Sequence, residues 1–526
     1  MSDLYAPWAI PSGISRAQKD GSRLLLLRNL RGYAVNAYQD LVQRHEEIAL
    51  LQACNALLSW DQETNLPAKG VAYRAQQRAA LSEKVHELKT SEDVTRWLEA
   101  CQDDSYDEAN ANVRWWKHAY ERARKIPASM VGEFEEVTSL GLAAWQEARE
   151  KSDYTLFQPH LQKIVDFNRQ MADLWGYEDS PYDALLEEYE RGATAKNLSA
   201  LFATLKEPLV DLVEAAIARS ADQPPRSLQG DYPIEAQQAF NLEVCQALGF
   251  DLEAGRIDTA AHPFCSRLAP NDTRLTTRYD TSDFTSSFFG VLHETGHGLY
   301  EQGLPQDKHA LPSGTAVSLG IHESQSRLWE NQIGRSRAFW EHWLPVAQKH
   351  FPSLTDWTPE DMARAVNQAE RTFIRVEADE VTYDLHILLR FELEKQLVEG
   401  TLSVADLPEA WNATFKDLTN LDVPDAAHGC LQDIHWSMGA LGYFPTYSLG
   451  NLNAAQLHAA ALEQVPGLTD DLIKGNYASL LKWLQENVHA HGSQLLPDEL
   501  MTKATGRSTE TAPYLSHLRS RYVDGE

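Results

Sequence analysis

From about Tyr38 onward, apolar positions recur at the three-to-four-residue spacing of helices, and strand-like alternation is scarce. The chain is therefore predicted to be mostly α. Residues 38–59 form one long helical pattern, and Pro67 and Gly70 after it mark its end. Trp115 and Trp116 fall on a further helix, where they are read as packing residues. No repeat, low-complexity tract or Gly/Ser-rich linker divides the chain, so residues 38–526 are expected to form a single compact unit. Two segments break the helical pattern. Residues 262–280 join Pro263, Pro270 and Asn271 to the alternating TRLTTRY, which predicts a loop followed by a short strand or hairpin. Residues 429–450 are rich in Gly and aromatics, and are expected to be irregular. Irregular segments carry function more often than regular ones do.

Size allows an enzyme: 526 residues suffice for a core with a deep internal site. The formal charge of −29 disfavours nucleic acid and anionic lipid as partners. The five cysteines are odd in number, scattered and without a CxxC pair, which points to a reducing compartment rather than to disulfides or a thiolate metal site. The early LLLL run is too short for a signal-peptide core and no stretch has membrane-spanning length, so a cytoplasmic protein is expected.

The chemistry concentrates in FFGVLHETGHGLYEQG, residues 288–303. Thr281-Ser282-Asp283 offers capping side chains before it and Gly303 a stop after it, which places the stretch in a helix. Phe284, Phe288, Leu292 and Leu299 form its core face. His293 and His297 share the adjoining face about 6 Å apart along the axis, so their imidazoles can converge on one ion. Glu294, turned by roughly 100°, suits a general base better than a third ligand. The position of the third histidine in HExxHxxGxxH is Gly303, which excludes that class. Glu301 lies about 12 Å along the axis from His293, too far to close the shell. The third ligand must come from elsewhere, and a second helix predicted over 315–333 presents His322 and Glu323 side by side. Spacing does not choose between them.

With these residues in place the chain resembles the carboxypeptidase Taq family of metallocarboxypeptidases. The resemblance runs from about Tyr38 almost to the C-terminus, through HPF (262–264), DTRLT (272–276), HETGH (293–297), HESQSR (322–327), IRVEAD (374–379) and GCLQDIHW (429–436). WDQET (60–64) and GYFPTYSLGN (442–451) are similar to family segments as well. The resemblance implies a mostly α, gluzincin-type metallopeptidase fold with two lobes around a deep groove and a small β element, usually as a homodimer. It implies His293, His297 and Glu323 as metal ligands, Glu294 as the base, and His322 as a neighbour. Residues 1–37 lie outside it and are read as an N-terminal extension.

Two imidazoles and a carboxylate suit one Zn²⁺, with Co²⁺ an alternative, and leave a position for water from which Glu294 takes a proton. Tyr443 and His435 are candidate donors to the developing oxyanion. Arg274 and Arg375 are candidates for holding a peptide's terminal carboxylate, and His262 for contacting substrate. Arg375 stands among Phe373, Ile374 and Val376, where a guanidinium needs an anion: the substrate or, as a structural pair, Glu377 or Asp379. The expected activity is release of C-terminal residues from peptides. An endopeptidase of the same fold and an inactive peptide-binding protein are the alternatives; the aminopeptidase signature GxMEN is absent.

Overall fold

The computed structural model describes residues 21–101 and 108–525, with backbone alone for 21–35. Among these residues there are twenty α-helices and one three-stranded sheet. The first helix, Gly21–Thr64, covers the predicted 38–59 stretch and runs on through Trp60–Thr64 before the chain turns at Pro67. The expected boundary of the N-terminal extension thus falls inside a helix, and residues 1–20 lie outside the described residues.

The core has two large parts. One gathers Phe157, Leu186, Phe202, Leu389, Trp411 and Tyr514; the other gathers Phe240, Phe288, Leu328, Trp340, Leu457 and Leu480. The helix Pro445–Gln464 lies between them, giving Leu449, Leu452 and Ala455 to the first and Ala454, Leu457 and Ala461 to the second. This corrects the expectation for 429–450: the segment is irregular only as far as Phe444, and 445–450 open this helix. A helix buried on all sides has no polar face, so no amphipathic period is legible in it.

The sheet has strands β1 (Gly255–Thr259), β2 (Phe264–Ala269) and β3 (Asp272–Thr277) in the order β1-β3-β2, β1 parallel and β2 antiparallel to β3. The predicted hairpin is β2–β3. Asn271 turns it at φ 58°, a left-handed conformation that Asn tolerates. Strand β1 was not anticipated. The sheet packs on the HETGH helix, Phe284–Gly303, whose N-cap Asp283 accepts from the Thr285 N–H and whose Phe284, Phe288, Leu292 and Leu299 are buried as predicted. The second predicted helix is Leu319–Arg327, capped by Ser318 and continued by a wider π-helical turn, Leu328–Gly334.

Candidate metal centre

The HETGH helix crosses the Leu319–Arg327 helix at Gly296. A Cβ there would lie 2.5 Å from the Gln325 carbonyl oxygen, so glycine permits an approach that a side chain would forbid. Gly450, on the central helix, likewise leaves room for the Glu323 side chain. The crossing brings His293, His297 and Glu323 together, with one ligand atom from each within 4.8 Å of the others. Glu323 Oε2 is 3.8 Å from His293 Nε2 and 3.6 Å from His297 Nε2. Two imidazole nitrogens and a carboxylate oxygen aimed at one point fit a divalent transition-metal ion.

The partners around this trio fix which nitrogen of each imidazole is free. Glu330, on the π-helical turn, accepts from His293 Nδ1–H at 2.9 Å, which leaves His293 Nε2 to face Glu323. On the other side Glu301 accepts from His322 Nε2–H at 2.8 Å, making His322 Nδ1 an acceptor. That atom lies 2.6 Å from His297 Nδ1, which also reaches the His322 carbonyl at 3.1 Å. His297 therefore carries its proton on Nδ1 and presents Nε2. Arg327 binds the far oxygen of Glu323 at 2.7 Å and lies 3.4 Å from Glu330, tying the two carboxylates together.

Electrostatics follow from this crowding. Burial lowers the affinity of His293 for a proton, but the charge of Glu323 and the bond to Glu330 outweigh it and raise the pKa to about 9. Burial and the neighbouring imidazoles hold His297 well below the usual range. Glu294 is 5 % exposed, and burial is the largest cause of the rise in its pKa to about 7. Its Oε2 is a buried atom without a hydrogen-bond partner. A buried carboxylate with an unpartnered oxygen, next in the chain to His293, is a candidate proton acceptor for water.

A second cluster stands close by. Arg327 lies over the Tyr383 ring, 4.8 Å from its centroid, and the Tyr383 hydroxyl accepts from Arg375 Nη1 at 2.7 Å. Arg375 is 6 % exposed and pairs with Asp433 at 2.8 Å, rather than with Glu377 or Asp379. Asp379 instead accepts from the Glu370, Val381 and Thr382 N–H groups. Arg390 binds the other oxygen of Asp433 at 2.5 Å, so two buried guanidinium groups share one carboxylate. His435 and Tyr443 adjoin this cluster with ring centroids 5.2 Å apart, and the charge of Glu323 helps raise the Tyr443 pKa after burial. His435 Nε2 is 3.2 Å from the Tyr447 hydroxyl, whereas its buried Nδ1 is without a partner.

The sheet residues are placed differently. Arg274 makes a double hydrogen bond to Asp272 at 2.8 and 2.9 Å and lies 4.3 Å from the Trp60 ring centroid, which ties WDQET to the strand. His262 is exposed and its carbonyl accepts from Thr276 Oγ1 at 3.3 Å. The loop that holds His262 packs against the HETGH helix, where Pro263 lies beside Gly290. Nearby, two adjoining cavities of about 320 and 310 Å³ form a groove along the first helix; Glu301 and Arg267 line the first, and both share Gln52, His309 and Thr315.

Sequence reasoning missed Glu330, Tyr383, Arg390 and Asp433. Glu323, Arg327 and Glu330, spaced i, i+4 and i+7, would have signalled a shared helical face. A charge inside the apolar run ILLRF was a sign of buried ionic partners for Arg390. The pairing with Asp433, 43 residues on, has no local signal.

A helical protein with a small sheet, two histidines and a glutamate ready for a metal, and a buried glutamate beside them is defined as a metallopeptidase. Residues 40–522 match the carboxypeptidase Taq (M32) metallopeptidase family. The chain is 43% identical over 501 residues to thermostable carboxypeptidase 1 of Thermus thermophilus, covering 93% of this chain and 98% of that one. It is 38% identical over 472 residues to carboxypeptidase 1 of Bacillus subtilis, covering 89% and 94%. The structure of the M32 carboxypeptidase from Deinococcus radiodurans superposes with a TM-score of 0.90 at 39% identity, covering 93% and 99%. The chain belongs to the carboxypeptidase Taq (M32) family and is a metal-dependent carboxypeptidase, a peptide hydrolase. Among the described residues no helix is long and apolar enough to cross a membrane.

Proposed function

We propose that this enzyme removes single residues from the free C-terminus of peptides, with Glu294 as general base and Arg375 as receptor for the terminal carboxylate. The observation that carries the reading is the sharing of one buried carboxylate by two buried guanidinium groups. Arg375 and Arg390 share Asp433, so Arg375 has no carboxylate of its own and a substrate carboxylate is a fitting further partner. Three of the five N–H groups of Arg375 are engaged by Asp433 and Tyr383, so two remain for a planar anion. Arg274, already paired to Asp272, is the weaker candidate, and His262 is read as a contact for substrate.

His293, His297 and Glu323 would hold the ion, read as Zn²⁺ with Co²⁺ as an alternative. When bound it supplies a Lewis acid that acidifies water and polarises the scissile carbonyl. Glu294 accepts the proton of the attacking water on its unpartnered Oε2 as the new C–O bond forms. It then passes that proton to the amide nitrogen as the C–N bond breaks, so the amine leaves neutral. The Tyr443 hydroxyl and His435 donate to the carbonyl oxygen as it gains charge. Burial is the first cause holding His435 neutral, with a pKa lowered to about 4. Tyr447 O–H donating to Nε2 leaves Nδ1–H as the donor that His435 offers.

Residues 38–526 are read as one catalytic unit, with 1–37 as an extension, in a cytoplasmic homodimer. The test of the activity is a set of peptides blocked at the N-terminus, the C-terminus or both, incubated with metal-restored enzyme and analysed by mass spectrometry. C-terminal amidation should abolish cleavage and N-terminal acetylation should not. Internal fragments would replace this reading with an endopeptidase.

A further inference from the structure

The helix Tyr383–Glu399 carries a buried carboxylate that no step above employs. Glu394 is fully buried, and three donors converge on it. Trp436 Nε1–H reaches Oε1 at 2.7 Å; the Tyr182 hydroxyl and the Gly442 N–H reach Oε2 at 2.6 and 3.0 Å. Burial still pushes its pKa up to about 7 against these three bonds. Two of the donors bracket one loop. Trp436 follows His435 in the chain and Gly442 precedes Tyr443, so one carboxylate grips both ends of the stretch that separates the two candidate oxyanion donors. One turn earlier on the same helix, Arg390 binds Asp433 and Gln432, each at 2.7 Å. The helix thus holds residues 432–442 at four points, through Arg390 at one end and Glu394 across the loop. A helix packed into the core is a rigid template for such a loop.

We propose that Glu394 is a positioning residue for the hydrolytic step: by accepting from both Trp436 and Gly442 it sets how His435 and Tyr443 face the scissile carbonyl. This rests on the reading of those two residues as oxyanion donors. A carboxylate is suited to the task because it only accepts. Its isosteric amide accepts on one side and offers N–H on the other, so it satisfies one end of the loop and opposes a donor at the other. A purely structural glutamate would affect stability without selecting the residues beside that loop.

The experiment compares Glu394→Gln, Trp436→Phe, Tyr182→Phe and Tyr443→Phe, each with metal content, melting temperature, kcat and KM measured on one N-blocked dipeptide. Glu394→Gln should keep its metal and lose kcat by about 10- to 100-fold, the scale of a small misplacement of catalytic groups, with KM changed less than about threefold. Trp436→Phe, which deletes the Oε1 bond alone, should move kcat in the same direction. The double variant should fall no further than Glu394→Gln, because both act through one clasp. Tyr182→Phe removes an equally buried bond from the oxygen that Gly442 also reaches, but leaves both loop-end bonds in place, and should lower the melting temperature while leaving kcat within about twofold. Folded, metal-loaded Glu394→Gln and Trp436→Phe enzymes with wild-type kcat would overturn the proposal, as would a Tyr182→Phe loss as large as theirs. If Glu394→Gln does not fold, the contrast between Trp436→Phe and Tyr182→Phe decides. Tyr443→Phe at full kcat would overturn the donor reading itself. Tyr443→Phe impaired beside unimpaired Glu394→Gln and Trp436→Phe would overturn only the role of Glu394.

Discussion

Replacing Arg375 with Met separates recognition of the substrate terminus from the rest of the machinery. In the wild-type protein Asp433 is shared, with Arg375 at 2.8 Å and Arg390 at 2.5 Å. Without Arg375, Asp433 and Arg390 form a matched pair and no buried charge is stranded, so the fold and the metal trio should persist. Tyr383 loses one donor but keeps its stacking with Arg327. The loss then falls on the substrate carboxylate. A desolvated, charge-assisted pair is worth about 2–5 kcal/mol, so kcat/KM on a free-acid dipeptide should drop by about 30- to 5,000-fold. The assay measures kcat/KM for an N-blocked dipeptide and for its C-terminal amide, on both enzymes, with metal content verified. Wild type should favour the free acid by a factor of that size, and the variant should lose most of the preference. A variant that carries its metal and keeps the wild-type acid-to-amide ratio would refute the assignment of Arg375.

Three further outcomes are expected. Glu294→Gln keeps the shape of the base but cannot take a proton, so turnover should fall by about three or more powers of ten with stoichiometric metal retained; near-native kcat would remove Glu294 from the mechanism. Glu330→Gln removes the charge that orients His293, so competition with a chelator should show metal affinity reduced by about 10- to 100-fold, and a change below about threefold would make Glu330 a bystander. Glu380 is buried, and although burial alone raises its pKa, His517 and Arg521 pull it down to about 2 from 4.5. Its folded pKa is depressed, so the stability it contributes is present above about pH 4.5 and lost as pH falls toward 2, about 3 kcal/mol in all. Melting curves of wild type and Glu380→Gln should therefore converge between pH 5 and pH 2, and a constant gap across that window would contradict the linkage.

The parts legible in the sequence were those encoded by local spacing. His293 and His297 sit one helical turn apart, Asp283 and Gly303 bound their helix, and the alternation after Asn271 marks a strand. The family motifs carried the choice of Glu323 over His322, which spacing left open. Periodicity failed at 445–450 because the helix that begins there is buried on every side in its first turns and needs no polar face. It failed at β1 because five residues, GRIDT, carry too little alternation to separate a strand from a loop.

The sequence alone determined a mostly helical protein with two histidines one turn apart and a glutamate beside them, since these follow from residue type and the 3.6-residue turn. Only the tertiary structure decided which atoms of those residues are presented. Glu330 and His322 select the ring nitrogens that face Glu323, and Asp433 binds Arg375 across 58 residues of chain. Helical period constrains neighbours three and four apart, whereas the partners of a buried charge are set by how helices cross, and that crossing depends on small residues such as Gly296 and Gly450 whose meaning appears only in contact.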